Sequence, residues 1–258
     1  MSHENEYHDA MVKLLELIWG DGYMAPGGPG NIAKLFHGLD ADNKRVLDIG
    51  CGIGGPAREM AATHGAIVTG IDLEAPLIER AQADTIKAGL TDRCRFMTVE
   101  IGPLPFADHT FDIVVSSGAL TQTEDKAGMF QEIKRVLAPG GWFTCYDWMR
   151  AGGDYSEDML YWFKTEGLTY AMETIEGQAQ LIREAGFEQV ESEDASEWYR
   201  HEARREFELL KGELYPTMVE LLGQEYADDT VENWRALVIV VEAGEMQQSY
   251  SRGRKPEA

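Results

Sequence analysis

Residues 45–55 read RVLDIGCGIGG. Val46, Leu47 and Ile49 make the short apolar run of a buried strand, and Gly50, Gly52, Gly54 and Gly55 crowd the turn after it. Glycine tolerates positive φ and carries no Cβ, so a ligand can lie directly on the main chain there. Pro56 follows, a residue suited to a first helical turn. Strand, glycine turn and helix N-terminus in that order present backbone N–H groups to a nucleotide. The glycines at 50, 52 and 55 satisfy the GxGxxG spacing of a dinucleotide-binding turn. Asp48 adds a carboxylate at the strand end, two residues before the first glycine, able to accept hydrogen bonds from an ammonium group.

Outward from this turn, strand and helix patterns alternate from about residue 45 to 147. The expected strands are Arg45–Ile49, Ala66–Ile71, Arg95–Val99, Phe111–Val115 and Trp142–Asp147. The expected helices run from Pro56 to near Gly65, from about Ala75 to Ala88, and through Met129, Phe130, Ile133, Val136 and Leu137 to the PGG of residues 139–141. Such alternation implies a parallel sheet covered on both faces. Before it, residues 8–20 read as an amphipathic helix followed by a glycine-rich loop; after it, residues 157–227 read as mostly helical and aromatic, interrupted at GFEQVESEDA by an expected sixth strand. Trp234, Leu237, Val238 and Val241 mark a last helix over 231–246, whose apolar stripe is expected to pack in the core.

Composition narrows the function. At 258 residues with 44% hydrophobic content, the chain suits one domain with a real core. A formal charge of −22 repels a phosphate backbone, which counts against a nucleic-acid substrate. The three cysteines, Cys51, Cys94 and Cys145, lack CxxC spacing and read as reduced thiols, and the six histidines show no ligand spacing, so no metal is expected. No apolar run spans a bilayer, and MSHENEYHDA lacks the basic and apolar regions of a signal peptide, so the expectation is a cytoplasmic protein without a membrane partner.

The second strand ends in Asp72, twenty residues after Gly52, where a carboxylate can accept hydrogen bonds from both hydroxyls of a ribose. Glu100 follows the third strand, then come FDIVVSS and VLAPGG. With these four motifs in order, residues 45–147 resemble the class I S-adenosylmethionine-dependent methyltransferases. The resemblance implies a Rossmann-like, doubly wound, mostly parallel seven-stranded α/β sheet, with a helical N-terminal lid and a helical C-terminal insertion. It implies S-adenosylmethionine as cofactor, held by Asp48, Gly50, Gly52, Asp72, Leu73, Glu100, Ile101 and Ser117.

The flanks are similar to small phosphoethanolamine N-methyltransferases and to enzymes that methylate glycine, sarcosine or dimethylglycine. EYHDAMVKLLELIWGDGYMAPGG corresponds to their lid, with Tyr7 before the helix and Tyr23, Met24 and Ala25 in the loop closing over the cofactor. That divides the single domain into a lid (1–30), a cofactor-binding core (31–147) and a substrate-side segment completing the sheet (148–258). The resemblance places the methyl acceptor, a small molecule, at Tyr7, Gly118, Gln122, Trp148, Tyr170 and Arg252. Two departures stand out. Gly118 replaces an aspartate that faces the substrate amine, and Gln122 replaces a histidine paired with the lid tyrosine. Gln122 can hydrogen-bond Tyr7 but cannot serve as a base. N-methylation of a small amine of the betaine or phosphocholine kind is the leading expectation; S-methylation of a thioether and a non-catalytic S-adenosylmethionine-binding regulator stay open beside it.

Overall fold

The structure is a computed structural model and describes residues 9–167 and 170–257. Seven strands, β1 (Arg45–Ile49), β2 (Ile67–Asp72), β3 (Cys94–Thr98), β4 (Phe111–Ser117), β5 (Leu137–Arg150), β6 (Glu188–Asp194) and β7 (Met246–Arg254), form one sheet in the order β3-β2-β1-β4-β5-β7-β6. The first five are parallel, and β7 runs antiparallel to β5 and β6. The helices are α1 (Asp9–Trp19), α2 (Gly28–Leu35), α3 (Gly55–His64), α4 (Ala75–Lys87), α5 (Lys126–Val136), α6 (Glu157–Glu166), α7 (Ile175–Glu184), α8 (Ser196–Lys211), α9 (Tyr215–Leu222) and α10 (Gln224–Glu242). None is long and apolar enough to cross a membrane among the described residues.

Val46 turns to one sheet face, where Ile32, Phe36, Met60, Ile78 and Phe96 pack; Leu47 and Ile49 turn to the other, against Phe130, Ile133 and Ile182. This is why β1 carries no alternation of polar and apolar residues: both sides are covered. A third core lies off the sheet. There α1, α6, α8 and α10 bury Leu14, Trp162, Tyr199 and Trp234 against one another. Its centre is a carboxylate. Glu206, fully buried on α8, accepts hydrogen bonds from the indole N–H of Trp19 on α1 at 2.6 Å and of Trp234 on α10 at 3.0 Å. Burial pushes Glu206 up to about 7, against the pull of those two donors.

The five expected parallel strands and the expected sixth strand stand within a few residues of the structure. Three features differ. Residues 139–141 do not end a helix: α5 stops at Val136 and Pro139–Gly141 forms an irregular stretch inside β5, where the register with β4 shifts. α2 runs across the expected boundary at residue 30. The seventh strand is MQQSYSRGR, whose polar letters hide its burial: Gln248, Ser249 and Ser251 are all buried between β5 and β6.

Glu206→Ala leaves two indole donors unpaired in an apolar core, and should cost roughly 2–4 kcal/mol of stability. Urea unfolding checks the loss, and faster proteolysis of α1 checks that the N-terminal helix is what comes loose.

Candidate functional site

β1 and β4 are neighbours, yet the chain leaves them for opposite sheet faces, to α3 and to α5. Ligands of open α/β sheets lie in the crevice that this divergence opens beyond the carboxyl ends of the strands. The two turns bordering it touch. Gly50 has φ +72°, and a Cβ there would sit 2.1 Å from the Cβ of Ala119.

Two carboxylates stand at the base of the crevice. Asp72 is mostly buried; one oxygen accepts the Gly52 N–H at 2.8 Å and the other accepts the Glu74 N–H at 3.1 Å. Burial raises its pKa, against those backbone bonds. Asp48 is fully buried, and its Oδ2 has no hydrogen-bond partner among the described residues. Desolvation first, then the neighbouring Asp72, push Asp48 up to about 7. A buried carboxylate with a bare oxygen and a second carboxylate beside it calls for a ligand bringing positive charge or hydroxyl donors. Past the tips of β2 and β3, Leu73 is 51% exposed and Ile101 90% exposed, with Glu100 exposed on the same loop as Ile101.

The loop between α1 and α2 covers the glycine turn. Its Gly22 carbonyl oxygen would lie 2.0 Å from a Cβ on Gly55, and the Met24 sulfur 3.1 Å from one on Gly52. Bare backbone at 52 and 55 therefore lets this loop approach. Glu16, buried on α1, accepts the Gly22 N–H at 3.0 Å and holds the loop from behind. Tyr23 is buried, and burial raises its phenol well above the ordinary value.

On the far side, Ser117 ends β4 and accepts a hydrogen bond from the Asn31 side chain of α2 at 2.9 Å. Gly118 has φ +78°, and a Cβ there would lie 3.3 Å from that of Ala25. An aspartate at this position would take a left-handed conformation, at about 1–2 kcal/mol, and press on the loop. Gln122 closes the 3₁₀ turn Leu120–Gln122 and is exposed. Beneath it, the buried Lys126 ammonium donates to the carbonyls of Leu120 and Thr123 at 2.6 and 3.0 Å. Lys126 also attracts Asp147, a buried carboxylate that burial pushes up to about 7. Trp148 and Tyr170 are half-buried, with ring centroids 5.6 Å apart.

The structure thus gathers Met24, Ala25, Asp48, Gly50, Gly52, Asp72, Ser117 and Gly118 around one crevice, with Trp148 near the carboxyl end of β5 and Tyr170 beside it. Tyr7 lies outside the described residues. Arg252 does not join this group. It pairs across the sheet with Thr144, four residues before Trp148, and its guanidinium is spent on Glu191 at 2.5 Å. The antiparallel direction of β7 takes it away from the strand ends. No motif marks Asn31, Lys126 or the buried Tyr199, since only packing brings them in or behind the site. Among the described residues, no group of three or more His, Cys, Asp or Glu is gathered for a metal ion.

Residues 47–145 match the family model described as a methyltransferase domain. The chain is 29% identical over 243 residues to phosphoethanolamine N-methyltransferase 1 of Zea mays, covering 94% of this chain and 48% of that one. It is 32% identical over 217 residues to a sterol 24-C-methyltransferase of Gibberella zeae, covering 75% and 56%. The chain spans about half the length of the curated relatives it matches first. Among solved structures, phosphoethanolamine N-methyltransferase 2 of Haemonchus contortus, in complex with phosphomonomethylethanolamine and S-adenosylhomocysteine, superposes with a TM-score of 0.89 at 24% identity, covering 98% of this chain and 59% of that one. A putative sarcosine dimethylglycine methyltransferase of Galdieria sulphuraria superposes with a TM-score of 0.82 at 19% identity, covering 97% and 98%.

The raised pKa of Asp48 has a signed consequence. A carboxyl that holds its proton more tightly folded than unfolded contributes stability that is complete below the unfolded value near 4 and is lost as pH rises toward the folded value near 7. Asp48→Asn cannot ionise, so the melting temperature of the variant minus that of the wild type should increase between about pH 4 and about pH 7 in ligand-free protein. Thermal denaturation across that range checks it, and a pH-independent difference would count against the burial argument.

Proposed function

We propose that this chain, whose core is a methyltransferase domain, transfers a methyl group from S-adenosylmethionine to the nitrogen of a small amine. The observation that carries this reading is the Asp48–Asp72 pair: a fully buried and a mostly buried carboxylate under a backbone-only turn, the first with an oxygen lacking a partner among the described residues. S-adenosylmethionine fits that donor set. Asp48 would take its ammonium group, Asp72 the ribose hydroxyls, and Gly50 and Gly52 the close approach of the chain. Leu73 and Ile101 would flank the adenine, with Glu100 at its amino group. Met24 and Ala25 would cover it from the lid side, and Ser117 would stand at the wall toward the acceptor. When bound, S-adenosylmethionine supplies a methyl group on positively charged sulfur.

The rest falls to the chain's own residues. They must hold an acceptor lone pair at roughly 3–3.5 Å from the methyl carbon and keep water away. The loop of residues 20–27 and α1 form the lid over this space, and the family resemblance assigns Tyr7 to the same lid. The aromatic faces of Trp148 and Tyr170 stabilise positive charge growing on the acceptor, by roughly 0.5–2 kcal/mol each. Gln122 positions and does not take a proton, since an amide is not a base near neutral pH. The named substrates of the phosphoethanolamine N-methyltransferases support a small amine of that class. The absence of a carboxylate at Gly118 favours a second acceptor class, a small thioether, which carries no proton to lose.

Release of S-adenosylhomocysteine over a panel of small amines and thioethers tests the reading; turnover with no amine would defeat N-methylation. Asp72→Ala should weaken S-adenosylmethionine binding by about 2–4 kcal/mol in calorimetry, by leaving two hydroxyls unpaired. Trp148→Ala should lower turnover at least about tenfold, or about 1.4 kcal/mol, with cofactor affinity nearly unchanged. Wild-type behaviour in both variants would place the site elsewhere.

A further inference from the structure

One face of the sheet carries polar atoms that the fold itself leaves without partners. Tyr146 pairs with Tyr250 and Trp148 with Gln248 across β5 and β7, and alternate residues of a strand share a face. α8 lies across that face. Its Trp198 ring stands 6.2 Å from Tyr146, and its Tyr199 ring 6.4 Å from Trp148. The Gln248 carbonyl accepts the Ala195 N–H at 2.8 Å, which brings the start of α8 onto β7. At the adjoining strand end, Ser117 pairs with Tyr146 and accepts the Asn31 amide of α2. The loop over the crevice reaches the same place, since a Cβ on Gly27 would lie 3.4 Å from the Trp198 ring.

Five polar atoms here have no hydrogen-bond partner among the described residues: the hydroxyls of Tyr146 and Tyr199, both amide atoms of Gln248 and the Oδ1 of Asn31. Tyr146, Tyr199 and Gln248 have no exposed surface, and Asn31 is 4% exposed. Burying an amide or a hydroxyl unpaired is costly, and side chains from α2, β5, α8 and β7 bear that cost in one place. Such an arrangement calls for an occupant. Both phenols keep their protons: burial first, then Tyr199 for Tyr146 and Glu206 for Tyr199, raise them well above the ordinary value. They therefore offer O–H donors at every ordinary pH.

The five atoms mix donors and acceptors and carry no charge. The two hydroxyls and the Gln248 Nε2 donate; the Gln248 Oε1 and the Asn31 Oδ1 accept. Charged groups nearby are engaged with other partners. Glu206 is held by the indoles of Trp19 and Trp234, and Glu166 accepts the Tyr170 hydroxyl and the Asn233 amide. Lys34 is bonded to Glu193 and Arg252 to Glu191. Lys126 belongs to the opposite face, with Cys145 and Phe130, and donates to the carbonyls of Leu120 and Thr123. A phosphate or carboxylate seated among the five atoms would therefore lack the cationic donor that such groups call for. We infer, given the methyl-transfer reading above, that Asn31, Tyr146, Tyr199 and Gln248 anchor the end of the acceptor remote from its methylated atom. That end is an uncharged group that both donates and accepts, a carboxamide or a hydroxyl, in place of a phosphate or a carboxylate. Tyr146 stands between Ser117 and Trp148, so an acceptor anchored here extends toward the carboxyl ends of β4 and β5.

The test uses the full chain with S-adenosylmethionine and follows release of S-adenosylhomocysteine. Two pairs of amines differ only at the remote end: glycinamide against glycine, and ethanolamine against phosphoethanolamine, each with its N-methyl derivatives. The expected result is a kcat/KM about tenfold or more higher for the uncharged member of each pair. Tyr146→Phe and Tyr199→Phe remove one hydroxyl and keep the ring. Each should raise KM for the uncharged member by about tenfold, lower kcat less, and narrow the preference. Comparing variant with wild type on one substrate cancels differences in amine basicity. S-adenosylhomocysteine affinity reports whether each variant is folded, and Gln248→Met serves where a tyrosine variant is not. A preference for the carboxylate or the phosphate overturns this inference and leaves N-methylation standing. So does a preference unchanged in every folded variant, the result expected if the cluster holds buried water only. Turnover of thioethers with no amine in either pair overturns the N-methylation reading, and methionine amide against methionine then decides the anchor by the same criterion. Turnover with none of these compounds overturns both.

Discussion

Asp48 is a carboxyl group without water. It occupies the fourth position of a five-residue strand flanked by two other parallel strands and covered on both faces, so solvent cannot reach it. None of the described residues donates to one of its oxygens, and Asp72 beside it makes ionisation harder still. The surrounding design follows from that constraint. A turn next to such a group must let a donor-bearing ligand approach through backbone alone, and Gly50 and Gly52 allow it. The ligand must also be shielded once there, and the Gly22–Ala25 loop lies close enough because Gly52 and Gly55 have no side chains to hold it off. Asp72 has two duties: it ties the Gly52 N–H to the second strand and shares the bottom of the crevice with Asp48.

The helical cap obeys a different logic. Its core touches the sheet mainly through the carboxyl end of β5 and the start of β7, where Trp148 and Met246 sit. Its helices come from both ends of the chain, and Glu206 ties them together through two indoles. A carboxylate costs several kcal/mol to bury, yet here it is matched by two indole donors. The same acidic excess that gives the chain its −22 charge also reaches the interior, at Asp48, Asp147 and Glu206, each shifted up to about 7 by burial. A positively charged or hydroxyl-rich small molecule is what such an interior attracts.

Much of this was legible in the letters. The β1 run, the glycine turn and Pro56 could be read because a strand buried on both faces must be apolar throughout and because few residues besides glycine accept the positive φ values found at 50, 52 and 54. Asp48 and Asp72 could be read because polar residues at strand ends in that setting have few structural uses. β7 was not, since Gln248, Ser249 and Ser251 carry the composition of a loop and are buried only because β5 and β6 close over them. Arg252 misled for a related reason: the family resemblance placed it at the acceptor, but antiparallel pairing turns it toward Glu191.

Local sequence thus determined the order of elements, the turn that takes a nucleotide-like ligand and the two acids beneath it, because those depend on period, on φ and on neighbours close in sequence. The tertiary structure decided which side chains from distant segments share a wall. Asn31 meets Ser117 across 86 residues, Trp19 meets Glu206 across 187, and Trp148 meets Trp162 and Tyr199. An aromatic residue on an apolar face packs in the same way whether or not a substrate leans on it, so composition alone cannot separate core from cage. Only the packing, which buries Trp162 and Tyr199 completely and leaves Trp148 and Tyr170 partly open, draws that line.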